Sequence, residues 1–252
     1  MIGSLGDSLV VDSYLHCGLT KYLPWEDVVA AHAGAGITAG VMVQHLGEFD
    51  NDYLVASAIK GAPWYRSVVL VDQSSPAWRR QLAALASEPE VVGVRVRVDS
   101  QTKWGEVVLE ADRLHLHAVL YFPEGGANYA SAVSDIAVAC PATTFVLTHL
   151  GAPRFLQEGD SEVERLADNS NVILQLSGLG LWSMPPYLET VPCVRRLLDA
   201  FGIDRCVWGS NFPIHSATSE LAYARTDPWR IGPARLQSML SDRPQALWGL
   251  AS

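Results

Sequence analysis

Eight short runs rich in valine, leucine and isoleucine punctuate this chain, at positions 8–14, 37–44, 65–71, 92–98, 116–122, 144–148, 171–176 and 205–209. Continuous apolar runs of this length, bounded by polar or glycine-containing segments, predict strands buried on both faces. Between them the apolar residues recur at helical spacing. Ser75 and Pro76 supply an N-cap and a first-turn proline ahead of Leu82, Leu85 and Ala86. A similar helix starts near Pro24 and stops at Gly34 or Gly36, another covers 191–201 and ends at Gly202, and a third covers about 233–240. Asp242 is placed to cap a last short helix through Trp248. Strand and helix alternating from end to end predict an α/β protein with a parallel sheet and crossover helices.

Such a sheet either closes or stays open. No GxGxxG or GxxxxGK[ST] follows the first run, which removes the main signal for an open, nucleotide-binding sheet. A (β/α)8 TIM barrel forming a single domain over residues 1–252 is therefore expected, and the length agrees with the roughly 250 residues such barrels take. Barrels of this kind carry their chemistry at the C-terminal ends of the strands. Those ends hold Tyr14 and His16, Gln44 and His45, Asp72, Arg95 and Arg97, Tyr121, Thr148 and His149, Ser177, and Asn211, with His215 just beyond. Polar groups gathered after apolar runs are not needed for a purely structural barrel.

Tyr14 and His16 are two residues apart on an extended segment, so their side chains leave one face and converge. His149 closes another strand and is placed to meet them across the mouth. Arg95 and Arg97 share a face of the fourth strand, where a guanidinium meets either a substrate carboxylate or an internal acid such as Asp72 or Asp99. His115 and His117 form an HxH, but they open their strand and belong to the opposite, stability face; His32 lies on a helix and is read as structural.

Composition narrows the function classes. Apolar residues make up 49% and charged ones 18%, so the chain can build a sizeable core. A formal net charge of −9 argues against nucleic-acid and anionic-membrane partners, and leaves a small-molecule substrate, with a homo-oligomer possible. No signal peptide and no stretch of about 18 apolar residues is present, so a cytoplasmic location is expected. Cys17, Cys140, Cys193 and Cys206 are widely spaced with no CxxC, as for reduced, buried thiols; Cys17, next to His16, is a minor candidate nucleophile.

Six segments carry a resemblance: Val11-Asp12-Ser13-Tyr14-Leu15-His16, Gly93-Val94-Arg95, Phe145-Val146-Leu147-Thr148-His149-Leu150-Gly151-Ala152-Pro153, Asn171 through Leu179, Arg205-Cys206-Val207-Trp208-Gly209-Ser210-Asn211-Phe212-Pro213, and Ala246-Leu247-Trp248-Gly249-Leu250. In this order they resemble the amidohydrolase superfamily, in particular the amidohydrolase-related branch with lactone hydrolases acting on 2-pyrone dicarboxylates. The resemblance implies an HxH on strand one, a His on strand six and a water-activating Asp on strand eight. His16 and His149 match it; Tyr14 and Asn211 depart from it. An amide accepts no proton near neutral pH, and two histidines fall short of the three protein ligands usual for catalytic zinc. No cofactor is expected, with a divalent metal the disfavoured alternative.

Two classes of function follow. The first is a metal-independent enzyme on a small carbonyl- or carboxylate-bearing substrate, by lactone or ester hydrolysis or by a cyclisation, dehydration or isomerisation. His16 or His149 would move the proton, Tyr14 would act as acid or oxyanion donor, Asn211 would orient a carbonyl and Arg95 would clamp an anion; Arg97, Gln44, His45, Tyr121, Ser177 and His215 would line the substrate. The second is a catalytically silent barrel that binds a ligand or partner. A pocket with Arg95 turned inward suits a carboxylate substrate, and one packed shut by Trp182 or Phe212 suits the silent barrel.

Overall fold

The structure is a computed structural model that describes residues 9–153 and 162–251, so position 8 of the first predicted strand lies outside the described residues. All eight predicted strands form: β1 Val11–Leu15, β2 Ala39–Val43, β3 Tyr65–Val69, β4 Val91–Arg97, β5 His117–Tyr121, β6 Phe145–Leu147, β7 Val172–Leu176 and β8 Cys206–Trp208. They pair in parallel and in sequence order within one sheet. After β8 the chain returns to β1. Leu15 and Phe212 form a parallel bridge, the Asn211 N–H donates to the Tyr14 carbonyl at 2.8 Å, and the His16 N–H donates to the Phe212 carbonyl at 2.7 Å. The result is the (β/α)8 barrel that the strand–helix alternation predicts.

The crossover helices are α1 Trp25–Ala35, α2 Asp52–Gly61, α3 Trp78–Leu85, α4 Trp104–Arg113, α5 Ala130–Ala139, the short α6 Glu162–Arg165, α7 Val191–Phe201 and α8 Ala217–Arg225. They bury one stripe each against the outward side chains of the strands, such as Met42, Val69, Val94, Leu120, Leu147 and Leu174. Gly36 ends α1 at φ 74°, a left-handed conformation that costs glycine little. Two predicted ends differ. Ser75 does not cap α3, which begins at Trp78 after Ala77; the Ser75 hydroxyl instead accepts from the Ala77 N–H at 3.3 Å, within the turn before the helix. Asp242 caps nothing either, because α9 Pro233–Gln237 runs through a π-helical turn, Ser238–Asp242, straight into α10 Arg243–Trp248.

The barrel interior is filled by a ring of branched side chains, among them Val41, Val68, Val119, Val146, Ile173 and Val207. Its N-terminal end is plugged by the last helix. Trp248 donates its indole N–H to the Ser13 hydroxyl at 3.1 Å, and His117 donates from Nε2 to the Leu247 carbonyl at 3.0 Å while its ring meets Trp248 edge-on. His117 is thus a structural residue of the stability face, and His115 is exposed beside it. With the lower end closed, the upper end is left for the polar residues.

Closure depends on an acid. The fully buried Asp12 carboxylate accepts from the Tyr14 N–H at 3.1 Å and the Ser210 N–H at 2.9 Å, and also takes the Ser210 hydroxyl. His32, fully buried on α1, places Nε2 3.4 Å from that carboxylate and Nδ1 3.1 Å from the Tyr65 hydroxyl. The seam is also tight: a Cβ added at Gly209 would lie 2.6 Å from Tyr14 Cβ and 2.7 Å from its backbone nitrogen. Gly209→Ala is therefore expected to destabilise the fold by about 1–3 kcal/mol, read as a lower denaturation midpoint. An unchanged midpoint would mean that β1 and β8 can spread at no cost.

Candidate active site

Tyr14 stands at the centre of the upper layer because β1 carries a register irregularity between Asp12 and Leu15, which turns it inward. Its ring meets His16 edge-on at 5.1 Å and His149 edge-on at 4.9 Å between centroids. Arg95, from β4, lies 5.9 Å from the Tyr14 ring and 5.3 Å from the Tyr121 ring, and Tyr121 faces His149 at 6.2 Å. Asn211 follows the seam at φ 61°, a left-handed conformation that asparagine tolerates better than most residues. Thus the buried residues Tyr14, His16, His149, Arg95 and Asn211, taken from four strand ends, share one layer with the half-buried Tyr121 of a fifth.

Hydrogen bonds assign several protonation states. His16 Nδ1 lies 2.6 Å from the Val43 carbonyl, which can only accept, so Nδ1 carries the proton and Nε2 keeps its lone pair. His149 Nδ1 lies 3.0 Å from the Ser177 hydroxyl, which also accepts from the His149 N–H at 3.3 Å. A glycine is required beneath this ring, since a Cβ at Gly178 would come within 2.5 Å of His149 Nδ1. Burial, helped by the nearby Arg95 charge, holds His16 well below the usual histidine range and His149 at about 3. Burial also raises the Tyr14 hydroxyl, with Arg95 pulling the other way, so the phenol stays protonated. Both imidazoles are neutral at pH 7.

Three polar groups in this layer are buried without a partner: the Tyr14 hydroxyl, Arg95 Nε and Asn211 Oδ1. A buried unpaired polar atom costs about 1–3 kcal/mol, so these three are the groups of the layer whose hydrogen-bonding capacity the protein leaves unused. Arg95 is held in place, its Nη1 donating to the Gln44 carbonyl at 2.7 Å.

Other sequence candidates take different positions. Arg97 leaves the layer, is exposed, and pairs with Asp99. The Gln44 side chain holds the loop after β2, donating to the Asp50 carbonyl at 2.7 Å and accepting from the His45 N–H at 3.0 Å. His45 and His215 are half-buried at the rim, each with a buried ring nitrogen lacking a partner, and burial lowers both below the usual histidine range. Thr148 donates to the Leu120 carbonyl, and Asp72 holds a turn through Ser74. Cys17 is pushed up to about 11 by burial, which leaves it a thiol.

Sequence reasoning missed Tyr22, which stacks on His16 at 4.7 Å with planes 9° apart. It sits in the loop after β1, where no periodicity marks it. Phe212 does not close the site; its ring lies 6.0 Å from His32, behind β1. Trp182 lines a separate hollow after β7.

These donors suit a divalent metal poorly. Two neutral imidazoles, a protonated phenol and an amide surround a position that faces a guanidinium, and no carboxylate joins them. Among the described residues no group of three or more His, Cys, Asp or Glu is placed to hold a metal ion. Nor is any helix among them long and apolar enough to cross a membrane.

Comparison with known proteins agrees with the barrel fold. The amidohydrolase family model matches residues 16–250. An L-fucono-1,5-lactonase of Burkholderia ambifaria is 28% identical over 204 residues, covering 75% of this chain and 69% of the relative. Among solved structures, a Pseudomonas putida protein proposed to be a 2-pyrone-4,6-dicarboxylic acid hydrolase superposes with a TM-score of 0.80 at 22% identity, over 96% of this chain and 97% of that one. An amidohydrolase of Burkholderia multivorans, crystallised with HEPES, gives 0.79 at 17% identity over 97% and 100%.

The electrostatics give a measurable pH response. The His149 resonance, followed by NMR, should titrate near pH 3, and Arg95→Gln should move that midpoint up; a midpoint near 6.5 in the parent would overturn the assignment. Because the folded value is depressed, the unfolded chain binds more protons between about pH 6.5 and 3. This group's contribution to stability therefore falls as the pH drops through that window and levels off below it.

Proposed function

The chain belongs to the amidohydrolase family, and from that premise we propose that it is a metal-independent, lactonase-like hydrolase of a small carboxylate-bearing substrate. One observation carries this reading: a histidine fixed as a base at Nε2 shares a buried layer with an unpaired phenol donor and an unpaired guanidinium. The names of its relatives, a lactonase and a proposed pyrone hydrolase, point the same way.

The geometry suggests a division of labour. Arg95 receives the substrate carboxylate at Nε. His16 Nε2 takes a proton from a water molecule as the water oxygen attacks the lactone carbonyl, and the Tyr14 hydroxyl donates to the oxyanion that forms. The ring C–O bond then breaks, and the departing oxygen takes the proton back from His16. One water is consumed, a hydroxy acid leaves, and the side chains return to their starting states. Asn211 and His149 orient the carbonyl from the other side.

Low basicity is the weak point of a buried His16, and the substrate itself relieves it. Arg95 is the second cause of the depression, after burial. A carboxylate bound at Arg95 cancels that charge and makes His16 a better base. Anionic substrates are therefore favoured in turnover as well as in binding.

His16→Ala should lower kcat by about 10²–10⁴. Tyr14→Phe should lower it by about 10²–10³. Unchanged rates in both variants would discard these roles. Elemental analysis should find substoichiometric zinc, manganese and iron, and one tightly held equivalent with activity lost on its removal would overturn metal independence. Asn211 in place of a carboxylate favours a second reading, a non-hydrolytic proton transfer such as isomerisation; oxygen from ¹⁸O-labelled water appearing in the product would decide for hydrolysis.

A further inference from the structure

Beside the buried layer lies a cavity of about 700 Å³, opening between the loops after β2 and β3 and the start of α4. Of the residues around Tyr14, Arg95 is the one that also lines this cavity among the described residues. A volume in the range of about 300–1,000 Å³ is that of sites for drug-sized ligands, far more than one lactone ring fills.

Its walls specify what would enter. Leu46, Phe49, Leu70, Trp78 and Val107 form an apolar wall, with Trp78 buried and Phe49 more than a third exposed, and Gln73, Ser74, Ser75, Gln101 and Thr102 form a polar one. Its charged residues are Arg79, Arg95, Arg97 and Lys103 against Asp72 and Glu106, a formal +2 on a chain of net −9. Most of these charges are already engaged. Arg79 bonds Glu106 at 2.6 Å with Lys103 3.8 Å away, and Arg97 bonds Asp99. Arg95 differs: it is only 6% exposed, with Nη1 tied to Gln44 and Nε unpaired.

We propose that this cavity binds the non-reacting part of the substrate, and that this part is an aryl or bulky alkyl group joined to a single carboxylate held at Arg95. The substrate class is then a carboxylic acid with an apolar substituent. One fixed guanidinium neutralises one carboxylate, and the wall of Leu46, Phe49, Leu70, Trp78 and Val107 rewards an apolar group laid against it. Remote contacts of this kind anchor the substrate while the carbonyl reaches the layer around Tyr14. The proposal rests on the hydrolase reading for the word substrate, but the binding site stands on its own geometry.

Isothermal titration calorimetry with 3-phenylpropanoate, propanoate and 3-phenylpropan-1-ol tests it without turnover. The aryl acid should bind the unaltered protein about tenfold or more tighter than either control. Leu46→Trp, which fills the cavity from a half-buried loop position, should weaken 3-phenylpropanoate by a similar factor and leave propanoate unchanged. Arg95→Gln should weaken both acids and not the alcohol. Equal affinity for the two acids, or a Leu46→Trp variant that binds the aryl acid as before, would overturn the proposal. If Leu46→Trp does not fold, nuclear Overhauser contacts from the phenyl protons to Trp78 and Val107 in the unaltered protein decide the matter, and contacts elsewhere refute it. Aryl-acid binding without hydrolysis of any lactone would sink the catalytic reading alone; lactone hydrolysis without such binding would sink this one alone.

Discussion

The seam between β1 and β8 is the constraint on which this protein depends. Seven of the eight strand junctions are parallel ladders, two of them with a register irregularity, whereas the eighth has one bridge, two backbone bonds and the buried Asp12 carboxylate. A buried carboxylate is costly unless its oxygens are fully used. Here they take two backbone N–H groups and a hydroxyl, with His32 set against them. The same carboxylate that closes the barrel therefore fixes the backbone of Tyr14 and of Ser210, the residue before Asn211. Fold and site share a single anchor, and neither departure from the family pattern could move without disturbing it.

Electrostatics inside the layer follow from burial first and from Arg95 second. No carboxylate among the described residues pairs with Arg95, so its charge adds to burial in depressing His16 and His149 and moderates the rise at Tyr14. A divalent cation in the same space would add repulsion to a weak donor set. An anion would do the reverse, satisfying Nε and lifting part of the penalty on both imidazoles. Arg95 thus sets the sign of the field that a ligand of this layer would meet.

Much of this was legible in the sequence. The eight strands were readable because a barrel strand buried on both faces must be a continuous β-branched run, and the helices between them show their apolar stripes. The strand ends led directly to Tyr14, His16, His149, Arg95 and Asn211. What stayed hidden was whatever depends on three-dimensional competition for partners. Gln44 looks like a ligand for a substrate until the loop after β2 is seen to use it, and of the two partners open to Arg97, a substrate carboxylate or an internal acid, only the fold selects Asp99. Ser75 and Asp242 carry the residue types of caps, yet one lies a turn early and the other sits inside a continuous helix. Tyr22 lies in a loop with no period, so only the fold brings it onto His16.

The two departures make sense together. A histidine at position 14 would add a ligand beside His16 and His149, and a carboxylate at 211 would complete a cation site across the seam. Both departures replace ligand types with hydrogen-bonding ones, and on the proposed reading a tyrosine between two imidazoles would supply a donor to a developing oxyanion. That donor works because it is buried, with its hydroxyl kept protonated and unpaired. On the proposed reading the layer would exchange a charge-dense site for a hydrogen-bonding one suited to an anion, while the barrel and its seam are retained.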